Sequence, residues 1–174
     1  DEAIATRGPA DVFARHPTAA LALVQPNGAV SVAADGLSFP NGAVITPDGR
    51  QLIIAETLGT RLTSFSIGND GSLSKRRVWA DLGGRPPDGI CLDAEGAIWI
   101  ANPLAPECVR VAKGGQVLDV VATDQPCYAC MLGGPDGRTL FMLTAAASGA
   151  VEAAARRTGN VLTCAVSVPH AGRP

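Results

Sequence analysis

Two residues of this chain have the type and the place to act as hard-oxygen donors. Asn41 sits in Pro40-Asn41-Gly42 and Asp88 in Pro87-Asp88-Gly89, each at the opening of an apolar run. An amide carbonyl and a carboxylate suit Ca²⁺, Mg²⁺ or Mn²⁺, and Zn²⁺ in an oxygen-rich setting. Asn-Gly and Asp-Gly are also ordinary turn formers at strand starts, so spacing alone leaves both readings open. The two histidines, His16 and His170, lie near the ends with no partner at metal-ligand spacing. A His/Cys zinc site is therefore not expected.

Five cysteines occur, Cys91, Cys108, Cys127, Cys130 and Cys164, mostly inside apolar runs. Cys127-Tyr-Ala-Cys130 is formally a C-x-x-C. Its redox form opens a helix after a strand, whereas here it begins an apolar strand-like stretch. Buried packing is the expectation, and on a regular strand the odd spacing would turn the two thiols to opposite faces. An odd count of buried free thiols fits a reducing compartment, which points to the cytoplasm. The net charge is −2 and the one basic run, Lys75-Arg76-Arg77, falls at a strand start as a solvated end. No nucleic-acid partner is expected, and with no apolar run of spanning length, no membrane partner either.

The elements that must position Asn41 and Asp88 come from an internal repeat. Phe39-Pro-Asn-Gly-Ala-Val-Ile-Thr-Pro-Asp-Gly-Arg-Gln-Leu-Ile-Ile-Ala-Glu56 has the same order as Arg85-Pro-Pro-Asp-Gly-Ile-Cys-Leu-Asp-Ala-Glu-Gly-Ala-Ile-Trp-Ile-Ala-Asn102. A looser third copy runs from Pro126 to Thr144. Pro40, Pro87 and Pro126 are spaced by roughly 47 and 39 residues, the size of a four-stranded propeller blade. Strands are expected at 20–24 and 29–34; at 43–46, 52–56, 61–67 and 76–80; at 89–92, 97–101, 108–112 and 117–122; and at 128–132, 139–144 and 160–166. With 20 Gly and 13 Pro punctuating 174 residues, many short strands are favoured over long helices. The Ala-rich stretch 144–157 is expected to leave the sheets as a short helix or loop.

The fold class is thus all-β, a six-bladed β-propeller of which about three to three and a half blades are here. The chain is expected to be a single domain, 1–174, the C-terminal part of a propeller, with 1–19 a poorly defined N-terminal segment. Half a blade, two whole blades and three strands do not close a ring. The expectations are truncation at the N-terminus, a second chain that completes the ring, or an open half-propeller whose free edges are an aggregation liability. In a propeller the first strand of each blade lines the channel. Asn41 and Asp88 then face one end of it from consecutive blades, with Glu56 and Asn102 near the mouth. Loops 57–60, 103–107 and 145–158 would rim the entrance. Arg61 and Arg110 are expected to pair with acids between blades, and Trp79 and Trp99 to be core.

The order of these motifs over 20–168 resembles the gluconolactonase/regucalcin (senescence marker protein) family. The carriers are Asp35–Thr57, Pro87–Asn102 and Cys130–Phe141. The resemblance implies one divalent cation in the channel, held by a Glu, two Asn and an Asp. By motif, Asn41 matches the second Asn and Asp88 the Asp. The Glu, the other Asn and the family's main substrate-gripping Arg come from segments absent here, so this chain alone is expected to be weak or inactive. The implied activity is metal-dependent hydrolysis of small sugar lactones or related esters. Asp88 would both ligate the metal and take a proton from water, and Asn41 would be a ligand only. The alternatives are a propeller used as a non-catalytic binding module and a half-propeller that assembles with another chain.

Overall fold

The structure, a computed structural model, describes residues 15–172. Among these residues thirteen strands form four antiparallel sheets. β1 (Ala19–Val24) and β2 (Val30–Leu37) make a two-stranded sheet. β3 (Pro40–Ile45), β4 (Gln51–Glu56), β5 (Arg61–Ile67) and β6 (Leu73–Asp81) make the second. β7 (Ile90–Leu92), β8 (Ile98–Asn102), β9 (Glu107–Val111) and β10 (Val117–Ala122) make the third. β11 (Cys127–Gly133), β12 (Thr139–Thr144) and β13 (Asn160–Ala165) make the fourth. Each sheet follows chain order, as the blades of a propeller do. The half blade, two whole blades and three-stranded blade match the repeat. Of the N-terminal segment 1–19, residues 1–14 lie outside the described residues.

The second strands, β4 and β8, read as near-continuous apolar runs because both of their faces are covered. Ile98, Trp99, Ile100 and Ala101 are all essentially inaccessible. Three apolar clusters fill the gaps between successive sheets. Leu37, Ile54 and Phe65 join the first to the second. Val44, Ile53, Leu62, Trp79, Ile90, Ile98 and Val109 join the second to the third. Cys91, Trp99, Cys108, Cys130, Leu140 and Met142 join the third to the fourth. Trp79 and Trp99 are core, as expected.

The first hairpin of each of the three repeats has an aspartate in its turn. Asp48 Oδ1 accepts from Arg50 N, Asp93 Oδ1 from Glu95 N and Asp136 Oδ1 from Arg138 N. These bonds close the turns at Asp48-Gly49, Asp93-Ala-Glu-Gly96 and Asp136-Gly137. The Ala-rich excursion holds one short helix, α1 (Ala150–Arg156), with no buried residue.

One expectation from patterning is corrected. Cys127 and Cys130 do not face opposite ways: β11 is irregular between Cys127 and Ala129. An extra residue there shifts the alternation by one, so both thiols enter the same cluster and both are buried. The basic run Lys75-Arg76-Arg77 is exposed near the start of β6, as expected. Arg76 lies inside β6 and donates to the carbonyls of Asp35 (2.9 Å) and Gly36 (3.0 Å), tying the first sheet to the second.

Candidate functional site

β3, β7 and β11 are the first strands of their sheets, and they lie side by side. Gly42 N donates to Asp88 O (3.1 Å), and Gly89 N donates to Tyr128 O (3.0 Å). These contacts explain the glycines. A Cβ on Gly42 would lie 2.6 Å from Asp88 O and 2.7 Å from Ile90 N, and one on Gly89 would lie 2.8 Å from Ala129 Cα. No side chain fits between two backbones at that distance. Pro-Asn-Gly and Pro-Asp-Gly are thus close-approach sequences rather than turns, and they bring Asn41 and Asp88 together.

Asn41 is exposed and Asp88 is half-buried. Burial pushes the Asp88 carboxyl above its ordinary value, and the hydrogen-bonding Asn41 amide pulls it partway back. Thr57, which follows β4, is the third member. Its buried hydroxyl donates to Pro87 O (2.7 Å) and therefore has no proton left for Asn41. It accepts from Asn41 Nδ2 (3.4 Å) instead. That fixes the sense of the amide and leaves Asn41 Oδ1 as the free donor atom. Nothing in the Thr57 sequence context marks this role; only the position after the second strand of the repeat hints at it.

The other expected mouth residues are structural. Glu56 is fully buried and accepts from Ser38 N (2.7 Å), from Arg61 (3.0 Å to each oxygen) and from Thr63. Arg76 reaches it at 3.4 Å. Burial raises the Glu56 pKa, but the hydrogen bonds from Arg61, Ser38 N and Thr63 outweigh it and bring the group down to about 2. In the next blade Asn102 Nδ2 donates to Glu107 (2.8 Å), and Asn102 Oδ1 accepts from Leu104 N (3.0 Å). The expectation that Arg61 and Arg110 pair between blades is corrected. Both pair within their own sheet, Arg61 with Glu56 and Arg110 with Asp93 (2.6 Å) and Glu95 (2.7 Å).

The third repeat is also re-registered. Cys127 stands opposite Thr144 as Pro40 stands opposite Glu56. Ala145 N donates to Pro126 O (3.1 Å) as Thr57 N donates to Phe39 O (3.0 Å). Cys127, not Pro126, therefore takes the place of Pro40 and Pro87, and Tyr128 takes the place of Asn41 and Asp88.

The donors present fit a hard divalent cation in kind: an oriented amide oxygen and a half-buried carboxylate on adjoining inner strands. They do not complete a site. No group of three or more His, Cys, Asp or Glu able to hold a metal occurs among the described residues. The four cysteines between the third and fourth sheets are free thiols. Cys130 is buried beside Cys91 and Cys108, and each of these three is held well above the ordinary thiol value, first by hydrogen bonding with a neighbouring thiol and then by burial. They are packing groups rather than nucleophiles.

Antiparallel sheets in chain order whose first strands lie side by side define a partial β-propeller, and Asn41 and Asp88 adjoin on two of those strands. The chain belongs to the family described as SMP-30/gluconolactonase/LRE-like region, which matches residues 5–146. It is 28% identical over 151 residues to a 6-deoxy-6-sulfogluconolactonase of Pseudomonas putida, an alignment covering 82% of this chain and 51% of the relative. A solved luciferin-regenerating enzyme superposes with a TM-score of 0.75 at 18% identity, over 87% of this chain and 53% of that one. A calcium-binding protein, regucalcin, from Agrobacterium tumefaciens superposes with a TM-score of 0.66 at 23% identity, over 84% and 51%. The chain thus spans about half the length of these relatives. The structural likenesses establish the fold.

Proposed function

We propose that this chain carries part of the metal and proton-transfer machinery of a hydrolase that opens small sugar lactones or related esters. The observation that carries the reading is the joining of Asn41 and Asp88 on consecutive inner strands, with Thr57 leaving Asn41 Oδ1 free. Family membership and the gluconolactonase relative support it.

Asn41 and Asp88 would hold one divalent cation, Ca²⁺, Zn²⁺, Mg²⁺ or Mn²⁺, with donors from outside this chain. Such a cation, when bound, polarises a lactone carbonyl and makes a nearby water more acidic. Asp88 accepts the proton of the attacking water and later returns it to the ring oxygen that leaves. Its half-buried setting raises its basicity and suits it to that exchange. Asn41, with no titrating group, orients and ligates only. The five free thiols fit a reducing compartment, and we assign the protein to the cytoplasm on that ground.

The test is an initial-rate assay of lactone opening by the full-length protein, with chelator and metal add-back. Hydrolysis that needs metal and is lost in Asp88→Ala is expected. Hydrolysis unchanged in Asp88→Ala would contradict the assignment, and saturable lactone binding without turnover would make the protein a binding module.

A second reading concerns assembly, and the two end sheets favour it. The β1–β2 sheet exposes Val24, Val30 and Val32, and the β11–β13 sheet exposes Leu143 and Val161. These surfaces suit further blades, from the same polypeptide or from another chain.

A further inference from the structure

The proposed hydrolysis uses one end of the inner strands, and the other end holds a second concavity. Thr46 and Asp93, just past β3 and β7, stand five residues along from Asn41 and Asp88, roughly 17 Å at about 3.3 Å per residue. A pocket of about 330 Å³ lies there, lined by both residues. The second and third sheets face each other across one apolar cluster, so the pocket lies on neither open end face. Its apolar walls are Ile53, Leu92, Ala171 and the ring of Trp79. The segment after β13 fixes the Ala171 wall. Pro169 O accepts from Ala94 N (2.8 Å), His170 N donates to Gly137 O (3.0 Å), and Ala171 N donates to Leu92 O (3.1 Å).

Three polar groups of the lining are uncommitted. Trp79 is 5% exposed, yet its indole N–H donates to no residue among those described, although a buried indole normally finds an acceptor. The indole nitrogen of Trp99 is sealed in the core, whereas that of Trp79 is not. The Gln51 amide and the Lys113 ammonium also make no hydrogen bond or ion pair among the described residues. Asp93, the acid of the lining, is fully engaged and accepts from Glu95 N, Ala97 N and Arg110. The pocket thus offers donors and an unpaired positive charge around an apolar floor, the pattern of a small-molecule site.

We propose that this pocket is a second binding site, which takes a small monocarboxylate with an apolar body. The carboxylate accepts from Trp79 Nε1, Gln51 Nε2 and Lys113 Nζ. The body lies against Ile53, Leu92 and Ala171. The proposal does not rest on the lactonase reading.

The test is a titration of full-length protein, ¹⁵N-labelled at tryptophan, with 3-phenylpropionate. The Trp79 indole N–H resonance is assigned by its loss in Trp79→Phe. It is expected to shift saturably, with Kd on the order of a millimolar. The neutral 3-phenylpropionamide should bind about tenfold more weakly. Lys113 is exposed, so Lys113→Gln should fold as wild type does. It should weaken 3-phenylpropionate about tenfold and leave the amide unchanged. Asp88→Ala should leave both affinities as in wild type, because Asp88 stands at the opposite end. Absence of a saturable shift, equal affinity for acid and amide, or unchanged affinity in Lys113→Gln would overturn the proposal. Loss of the shift in Asp88→Ala would overturn it too, by placing the acid at the Asn41 and Asp88 end.

Discussion

At the scale of single residues, a hydroxyl fixes the sense of the Asn41 amide. Thr57 spends its proton on Pro87 O and its lone pair on Asn41 Nδ2. Replacing Thr57 with Val removes both contacts at nearly constant volume. We expect Thr57→Val to weaken divalent-cation binding by roughly tenfold or more, as loss of an outer-shell partner does, and to cost about 1 kcal/mol of stability. Titration calorimetry and urea unfolding measure the two effects separately.

Glu56 gives a second prediction at this scale. Its folded pKa is lowered to about 2 from 4.5, so the folded state binds its proton more weakly than the unfolded chain. The stabilisation is therefore fully present above about pH 4.5 and is lost as the pH falls toward 2. Glu56→Gln should lower stability at pH 7 by about 2 kcal/mol, because Arg61, Ser38 N and Thr63 lose an ionic acceptor. It should also flatten this part of the acid limb. Urea midpoints at pH 7, 4.5 and 3 compare the two proteins. Asn41 and Asp88 were legible in the sequence because each sits in a repeated tripeptide. Thr57 was not, because its role depends on a carbonyl thirty residues away in sequence.

At the scale of elements, the inner strands depend on missing side chains. Gly42→Ala would set a Cβ against Asp88 O and Ile90 N, both backbone atoms that cannot rotate away. We expect a loss of about 1–3 kcal/mol and a displaced Asp88, read by unfolding and by weakened cation binding. Gly28→Ala is the control for volume, since nothing lies within 4 Å of its Cβ position, though its φ of +83° adds some backbone strain. Strand number, order and approximate bounds followed from the sequence, because each blade repeats one apolar pattern and one glycine-containing turn. The third repeat was misread by one residue. Its proline precedes the equivalent position, and the irregularity in β11 is invisible to a period-two pattern. That single residue hid both the shared burial of Cys127 and Cys130 and the alignment of Tyr128 with Asn41 and Asp88.

At the scale of the whole molecule, each apolar cluster lies between two sheets, so among the described residues the first and last sheets each have one face with no neighbour. Val30 and Val32 are 67% and 69% exposed, and Val161 is 66% exposed. As an isolated chain of 174 residues the protein should associate through these faces, which sedimentation at rising concentration would reveal. A monodisperse monomer across that range would count against it. Asn41 and Asp88 are only two of the donors proposed for the cation, so the isolated chain should bind divalent cations only weakly, with Kd on the order of millimolar.

The central claim is that Asn41 and Asp88 hold one divalent cation. Calorimetric titration of the full-length protein with Mn²⁺ tests it most directly. The account predicts one saturable site that is weakened at least tenfold in both Asn41→Ala and Asp88→Ala. Saturable binding that is equally tight in both variants would contradict it.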